Sequence, residues 1–399
     1  MKSVSFAFAC AASATLALLQ PARLDASVQW KQLTIGGFLS QGYLYSDNNN
    51  YPTADKGGPW DFREMAFNAS TTLGAHFRLG AQVFAQRLGT LGADKVILDW
   101  AVADYNFNPA FGLRVGRVKY PKGLYGEALD LDVVRPFVFL PNAVYSPVLR
   151  DFNASFDGAM IYGSIPAGQG SIDYKLFYGD IPIKKDKGVA EFYNNSGLFA
   201  KNPGVQQLSI DSVIGGQIVW NPPVSGLKLA YSYSSYSNLY SAGPFSAYPV
   251  LDLAGGFPRF SWHTVSAEYS VNNWVFAAEW QRAGGPIQYA VAPILPTQYD
   301  HSGWDGWYIS AARRLNDRFE LGAYYGNLTQ RYEGSTSDPR RHQYDLAFSI
   351  RYDFNEHVLF KLEAHTIDGR YQTFDTVRIP NPTPSNHNTL IAVKTTLSF

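Results

Sequence analysis

The sequence has few of the features that mark disulfide-stabilised domains and helical membrane proteins. It contains a single cysteine, Cys10, in 399 residues, so no disulfide can form within the chain. Beyond the N-terminal segment there is no run of about 18 apolar residues, the length that a transmembrane helix requires. Charged residues make up only 17% of the chain, and the formal net charge is zero. Because no basic face or tail exists, a nucleic-acid partner is not expected.

Motifs for enzymatic chemistry are also missing from the sequence. None of the seven histidines has metal-ligand spacing with another. There is no Gly-x-Ser-x-Gly elbow, phosphate-binding loop or dinucleotide fingerprint. We therefore predict no enzyme activity, no metal and no cofactor. One hydrolase hypothesis remains, because Ser261 and His263 would share one face of a strand.

Residues 1–26 have the layout of a secretory signal peptide. A positively charged start precedes an apolar core from Val4 to Leu19, and small residues follow it. The mature chain would be residues 27–399, which we interpret as one domain without cysteine. A lipoprotein signal at Cys10 is the alternative hypothesis.

Most of the remaining sequence alternates apolar and polar residues with a period of two. In residues 344–352 the even positions are Tyr, Leu, Phe, Ile and Tyr, and the odd positions are Asp, Ala, Ser and Arg. Successive side chains of a strand point to opposite faces, so this strand has one apolar face with aromatic ends. The other face carries charged and small residues, which favours a water-filled lumen over a packed sandwich core.

Sixteen such segments can be counted in the sequence. They are residues 33–45, 61–73, 76–87, 95–105, 111–119, 154–163, 171–179, 210–220, 227–236, 260–270, 274–282, 303–314, 318–327, 342–352, 357–367 and 388–399. The connections alternate between short and long, and the long ones include 237–259 and 283–302. Alternating short turns and long loops are typical of an even number of antiparallel strands. The predicted fold is all-β: a transmembrane antiparallel β-barrel of about 16 strands, formed by residues 27–399.

One stretch, Gly116–Gly158, follows neither the strand period nor the helix period. It is dense in charge, and prolines such as Pro121, Pro136 and Pro141 break any long helix or central strand. A long loop inside a compact architecture is rare and usually functional. We predict that residues 120–153 fold into the barrel after strand 5 and narrow its pore as a constriction loop.

The layout of the mature chain resembles the porins of Gram-negative outer membranes. The likeness comprises the signal, the sixteen segments, the long loop after the fifth segment and the terminal Phe399. The blocks Gly116–Pro121, Arg150–Phe152 and Phe156–Gly158 look like a poorly characterised porin-like family. The usual acidic loop motif of the general porins is not found in recognisable form.

This resemblance implies a location and a set of partners. The chain would lie in the outer membrane of a Gram-negative bacterium, in contact with outer-membrane lipid and lipopolysaccharide. The barrel-assembly machinery would read the terminal strand, for which Phe399 is the assembly signal. Both a monomer and a homotrimer remain open.

Selectivity in a porin comes from the pore diameter and from rings of charge at its narrowest point. The candidates on the loop are Glu127, Asp130, Asp132, Arg135, Arg150 and Asp151. The candidates on the pore wall are Arg63, Arg78, Arg87 and Arg114. Alternation predicts that Arg78 and Arg114 point inward, whereas Arg135 and Arg150 fit loop-anchoring salt bridges equally well. The apolar part of the loop, Phe137–Pro141, is expected to pack against the inner wall, with a binding patch for an apolar solute as the alternative.

The predicted function is passive diffusion of small hydrophilic solutes and ions through an outer-membrane porin. Charges on the 120–153 loop and on the facing wall would set the selectivity. The alternatives are a channel specific for an anion such as phosphate or for a sugar, and, less favoured, an outer-membrane barrel hydrolase.

Overall fold

A computed structural model describes most of the chain. The described residues are 28–30, 33–49, 51, 59–89, 91–183, 188–195, 199–200, 202–332, 337–371 and 385–399. The predicted signal peptide, residues 1–26, lies outside them.

The described chain is built mainly from β-strands, because the apolar–polar alternation satisfies one face in lipid and the other in the interior. Sixteen long strands are β2 (Leu33–Ser46), β3 (Phe62–Leu73), β4 (Phe77–Leu88), β5 (Ile97–Asn108), β6 (Phe111–Lys119), β7 (Ser155–Ala167), β8 (Gly170–Asp180), β10 (Ser212–Asn221), β11 (Leu227–Phe245), β12 (Tyr248–Val271), β13 (Trp274–Ala292), β14 (Leu295–Arg314), β15 (Phe319–Gln330), β16 (His342–Asp353), β17 (Val358–Gly369) and β18 (His387–Ser398). Two three-residue strands, β1 (Val28–Trp30) and β9 (Gln207–Ser209), pair with β2 and β11. A single helix of two turns, Gly188–Asn195, precedes β9 in the described chain.

The sixteen long strands close into a barrel. Each pairs antiparallel with its neighbour along the chain, and β8 pairs directly with β10. The last strand, β18, pairs with β2 from Ser398 opposite Phe38 to Leu390 opposite Ser46, which leaves no free edge. The prediction of a sixteen-stranded antiparallel barrel is confirmed.

The prediction of long loops at two of the connections is wrong. Residues 237–259 and 283–302 lie mostly in strands, because β11–β12 and β13–β14 continue as long hairpins to turns at Ser246–Ala247 and Pro293–Ile294. The pairing of β12 with β13 shifts register between Gly256 and Ser261. Such a bulge interrupts the two-residue alternation, so the strand pattern in the sequence ends there although the strand does not.

The outer face is apolar along the middle of the strands and aromatic towards both ends. On β16, Leu346, Phe348 and Ile350 are exposed, while Ala347 and Ser349 between them are buried. The flanking outward aromatic residues include Trp220, Tyr269 and Phe360 towards one end and Tyr45, Tyr178 and Trp307 towards the other. An outward apolar band between two aromatic girdles is the surface of an outer-membrane barrel. Among the described residues, no helix has the length and hydropathy needed to cross a membrane.

The core of the molecule lies inside the barrel. We call the end with the tight turns and Phe399 the short-turn end, and the opposite end the long-loop end. Towards the long-loop end, inward side chains such as Phe62, Phe156 and Tyr236 are almost fully buried and pack with residues of the connections. The expectation of a wet lumen is therefore wrong for this half of the barrel, where the inward residues are aromatic and apolar.

Candidate functional site

The internal loop, residues 120–154 between β6 and β7, lies inside the barrel. It contains three short 3-10 turns (Gly126–Ala128, Asp132–Val134 and Pro147–Leu149) and one helical turn (Arg150–Asn153). Gly116 in β6, shortly before the loop, has a φ of 123°, which is open to glycine and strained for other residues. A Cβ at that position would lie 2.2 Å from the carbonyl oxygen of Ala101. Lys119, which shares the outward parity of Val115 in the sequence, is nevertheless buried inside the barrel at the end of β6.

The first anchor of the loop is a cluster of four charges, which we call the Asp99 cluster. Lys119 Nζ lies 2.9 Å from Asp99 and 2.8 Å from Asp130. Arg150 Nη2 lies 2.9 Å from Asp99 and 2.7 Å from Asp130. Two cations and two carboxylates neutralise each other, and all four side chains are buried. Burial alone would raise the pKa of Asp130, but the charges of Arg150 and Lys119 outweigh it and hold the pKa well below the usual range.

The second anchor, the Asp132 cluster, lies on β17 and β18, about a quarter of the way around the barrel from β5. Asp132 accepts hydrogen bonds from Lys361 Nζ at 3.0 Å, Lys394 Nζ at 3.2 Å and Thr396 Oγ1 at 2.7 Å. Arg135 lies 3.5 Å from the same carboxylate. Lys394 also pairs with Glu64. The carboxylate of Asp132 therefore joins the loop to strands β17 and β18.

The third anchor is Glu127, which faces the wall near β6 and β8. Its carboxylate pairs with Lys175 and lies 3.6 Å from Arg114. Arg114 in turn donates to Asp104 at 3.3 Å. Both cations are buried, so Glu127 neutralises wall charges that would otherwise be costly in this interior.

Two wall carboxylates bind the loop backbone directly. Glu363 accepts hydrogen bonds from the amides of Val138 at 2.8 Å and Phe139 at 3.0 Å. Glu279 accepts from the amide of Leu124 at 2.8 Å. These bonds satisfy amides that regular secondary structure does not, and they fix the loop against β13 and β17.

Apolar contacts complete the docking, as predicted for the packing of Phe137–Pro141. Phe137 meets Tyr324 edge-on with ring centroids 5.1 Å apart, and Phe139 stacks on Phe62 at 5.2 Å. Lys122 Nζ lies 3.8 Å from the centre of the Trp262 ring and donates to the carbonyl of Val144. The loop thus contacts the wall around most of its circumference.

The predicted site residues fall into three groups. Glu127, Asp130, Asp132, Arg135 and Arg150 on the loop, and Arg114 on the wall, are all buried in the anchors described above. Arg78 points inward as predicted and lines a cavity towards the short-turn end. The remaining three, Arg63, Arg87 and Asp151, belong neither to these anchors nor to the lining of that cavity.

Arg63 and Arg87 face outward, not towards the pore. They sit opposite each other on β3 and β4 and share the outward parity of Met65, which is exposed. Both pair with Asp94, whose pKa is lowered first by the hydrogen bond from Arg63. Asp151 instead accepts a hydrogen bond from the amide of Val189 at 3.3 Å and links the internal loop to the helix Gly188–Asn195.

Several anchoring residues were not singled out in the sequence. The anchors Lys361 and Glu363 alternate along β17 and are followed by His365, whose Nε2 lies 2.9 Å from Glu363; this run of inward polar residues was a usable signal. Asp99 gave no signal, because it faces the interior only through a register shift between Gln82 and Val83 on the neighbouring strand. His263, considered for a hydrolase, lies on the outward face of β12 with Nδ1 2.8 Å from the Tyr231 hydroxyl.

Comparison with known proteins decides the fold. The anion-selective porin from Comamonas acidovorans superposes with a TM-score of 0.58 over 92% of this chain and 99% of that chain, at 12% identity. The fold is that of the outer-membrane porins. An OmpF of Salmonella typhi in complex with daunomycin gives a TM-score of 0.57 over 94% and 100% of the two chains, at 11% identity. OmpT of Vibrio cholerae, expressed in the outer membrane, gives 0.55 over 94% and 100%, at 12% identity. No protein-family model and no curated protein matches this sequence.

The porin fold and the lipid-facing surface agree with each other. A closed antiparallel barrel with an apolar band between aromatic girdles is the architecture of Gram-negative outer-membrane proteins. This porin-like barrel carries its long internal loop directly after the fifth long strand, β6. The internal loop is therefore the candidate constriction.

Proposed function

We propose that this protein is an outer-membrane channel for the passive diffusion of small hydrophilic solutes and ions. The observation that carries the proposal is the internal loop, which lies part-way along the barrel and is anchored to β5, β13, β17 and β18. A purely structural barrel would not require a loop that three ionic clusters hold inside its lumen. The loop would set the size of the passage.

The passage would run along β3 and β4. There the inward side chains of Glu64, Asn68, Ser70, Arg78 and Gln86 keep intermediate exposure, although the inward Phe62, Ala66, Gln82 and Phe84 of the same strands are buried. On β11, β12 and β13 the inward side chains beside the loop are buried. The polar, partly exposed wall supplies hydrogen-bonding groups to a hydrated solute, whereas the buried wall is occupied by the loop.

The loop charges would act mainly by fixing the loop. In the Asp99 cluster each carboxylate lies within 3 Å of two cations, so little net field extends from it. We therefore assign weak ion selectivity to the loop acids and a larger contribution to wall charges that remain partly exposed. By the same proposal the outward face contacts lipid and lipopolysaccharide, and the assembly machinery reads the strand ending in Phe399.

Single-channel recording in planar bilayers tests this proposal. Purified protein should insert and give stepwise conductance in potassium chloride without a cofactor or energy source. Liposomes containing it should swell in sugars of small size and exclude larger ones, because the loop narrows the lumen. A correctly folded barrel that gives neither conductance nor swelling would refute the proposal.

A further inference from the structure

A cavity lies beneath the internal loop, at the short-turn end of the barrel. Its volume is about 780 Å³, and residues Leu131–Val134 of the loop form part of its lining. Arg78, Asn68, Ser70 and Trp100 line one side of it. This cavity is large enough for a small organic solute and carries polar groups on one wall.

The cationic groups on the far side of this cavity are already paired. Arg314 pairs with Glu320 and Asp353, and Arg351 pairs with the same two carboxylates. Neither guanidinium is therefore a free anchor for an anion. Arg318 lies at the rim, on the turn before β15, and is exposed to solvent.

Arg78 differs from these arginines. It sits directly opposite Asp104 in the pairing of β4 with β5, where an ion pair would be expected. The oxygens of Asp104 are taken by Arg114 at 3.3 Å and by the Tyr162 hydroxyl at 2.7 Å. Within the described part of the chain, Arg78 forms no ion pair, and its Nη1 is buried without a hydrogen-bond partner.

The surroundings of Arg78 complete a site for an anion. Its Nη2 donates to Ser70 Oγ at 3.0 Å, which orients the guanidinium. The Asn68 amide and the Trp100 ring line the same cavity. A carboxylate would pair with this guanidinium in a charge-assisted bond once the side chain turns its Nη1 hydrogens towards the cavity, while the indole would pack against an apolar portion of the solute.

We propose that this cavity binds small organic carboxylates, with Arg78 as the anchor. The inference rests on the proposed channel function, because the solute would pause there on its way through the barrel. A guanidinium left with a buried unbonded nitrogen is costly, and a carboxylate removes that cost. Binding at this point would make the flux of such solutes saturable.

Benzoate is the probe, and neutral benzamide of the same shape is its control. In the wild-type channel, benzoate added on the short-turn side should reduce the potassium chloride conductance in a saturable manner, and benzamide should not. Arg78→Gln should weaken this block roughly 10- to 100-fold, the range for a lost hydrogen bond to a charged group. Arg318→Gln removes the same charge from the exposed rim and should leave the block unchanged.

The outcomes separate the two proposals. An open channel that benzoate does not block, or that Arg318→Gln affects as much as Arg78→Gln, would overturn the site and leave the channel intact. A protein without conductance would fail as a channel, and benzoate quenching of tryptophan fluorescence in detergent would then decide the site alone. If Arg78→Gln does not give a heat-modifiable barrel, the second variant is Arg78→Lys. It keeps the positive charge but loses the planar guanidinium. An unchanged block in Arg78→Lys would contradict the role of the guanidinium Nη1, which a lysine lacks.

Discussion

Asp132→Asn tests how firmly the internal loop is held. The substitution keeps the shape of the side chain but removes the charge that Lys361, Lys394 and Thr396 contact at 3.0, 3.2 and 2.7 Å. Removing one member of a buried ion pair costs about 3–5 kcal/mol, because the remaining charge is left without compensation. Lys394 keeps Glu64, and Lys361 keeps the carbonyl oxygens of residue 132 and Phe137, so the lower end of this range applies.

A loss of about 3 kcal/mol raises the population of undocked loop roughly 100-fold, since 1.36 kcal/mol corresponds to a factor of ten. The assay is the labelling rate of a cysteine at Val138, which is fully buried beside the cluster. The only natural cysteine is Cys10, within the predicted signal peptide, so a single introduced thiol reports on the loop. Labelling of Val138→Cys by a water-soluble thiol reagent should accelerate by about the same factor when Asp132→Asn is added.

Two further variants sharpen this result. Asp317→Asn removes an exposed acid that lines the cavity beneath the internal loop, and it should leave the labelling rate unchanged. Adding Lys361→Met to Asp132→Asn removes the uncompensated cation and should slow the labelling again, because the coupling between the two residues is then lost. An unchanged labelling rate in Asp132→Asn, in a barrel that still shifts on heating in gels, would refute the anchoring role.

Three other predictions concern the loop and the outer wall. Gly306→Ala should push the loop from the wall at a cost of about 1–3 kcal/mol and raise the conductance noise, because the new Cβ would lie 2.0 Å from the Ala143 carbonyl oxygen. Gly326→Ala is the control, since its Cβ would have its nearest atom at 3.5 Å, and it should leave the conductance noise unchanged. Equal noise in the two variants would contradict the close contact. Conductance should stay constant from pH 7 to about pH 4. The pKa of Asp130 is lower in the folded protein than in the unfolded chain, so its contribution to loop docking is fully present above the usual Asp pKa. That contribution is lost only as the pH falls through the lower pKa of the folded state. A conductance change centred near pH 5 would argue against this ion cluster. Arg63→Gln and Arg87→Gln should not alter the reversal potential in a salt gradient, since both residues face outward, and a shift towards cation selectivity would place them in the pore.

The barrel itself could be predicted from the sequence because the apolar–polar alternation within each strand determines which of its side chains face outward. The alternation in residues 344–352 specifies which side chains face lipid, and the structure keeps that pattern. The same parity was available for Arg63, which falls on the face of Met65 and therefore outside the lumen. Where a bulge intervenes, as between Gly256 and Ser261, the local pattern breaks and the long hairpins were missed.

The docking of the internal loop could not be predicted in the same way. The loop has no period, and its position depends on partners far along the chain, such as Lys394, 262 residues after Asp132. The sequence identified the charged residues that matter, but not their partners. Asp130, a candidate for the pore constriction, instead pairs in the interior with Arg150, for which a loop-anchoring salt bridge was the equal alternative.

Deletion of residues 124–148 tests the central claim most directly. Single-channel conductance and the size limit for sugar entry would be measured for the full-length protein and for the deletion variant. If the internal loop constricts the lumen, the variant should show a several-fold larger conductance and admit larger sugars. Equal conductance and an equal size limit in two correctly folded barrels would contradict the claim that the loop sets the passage.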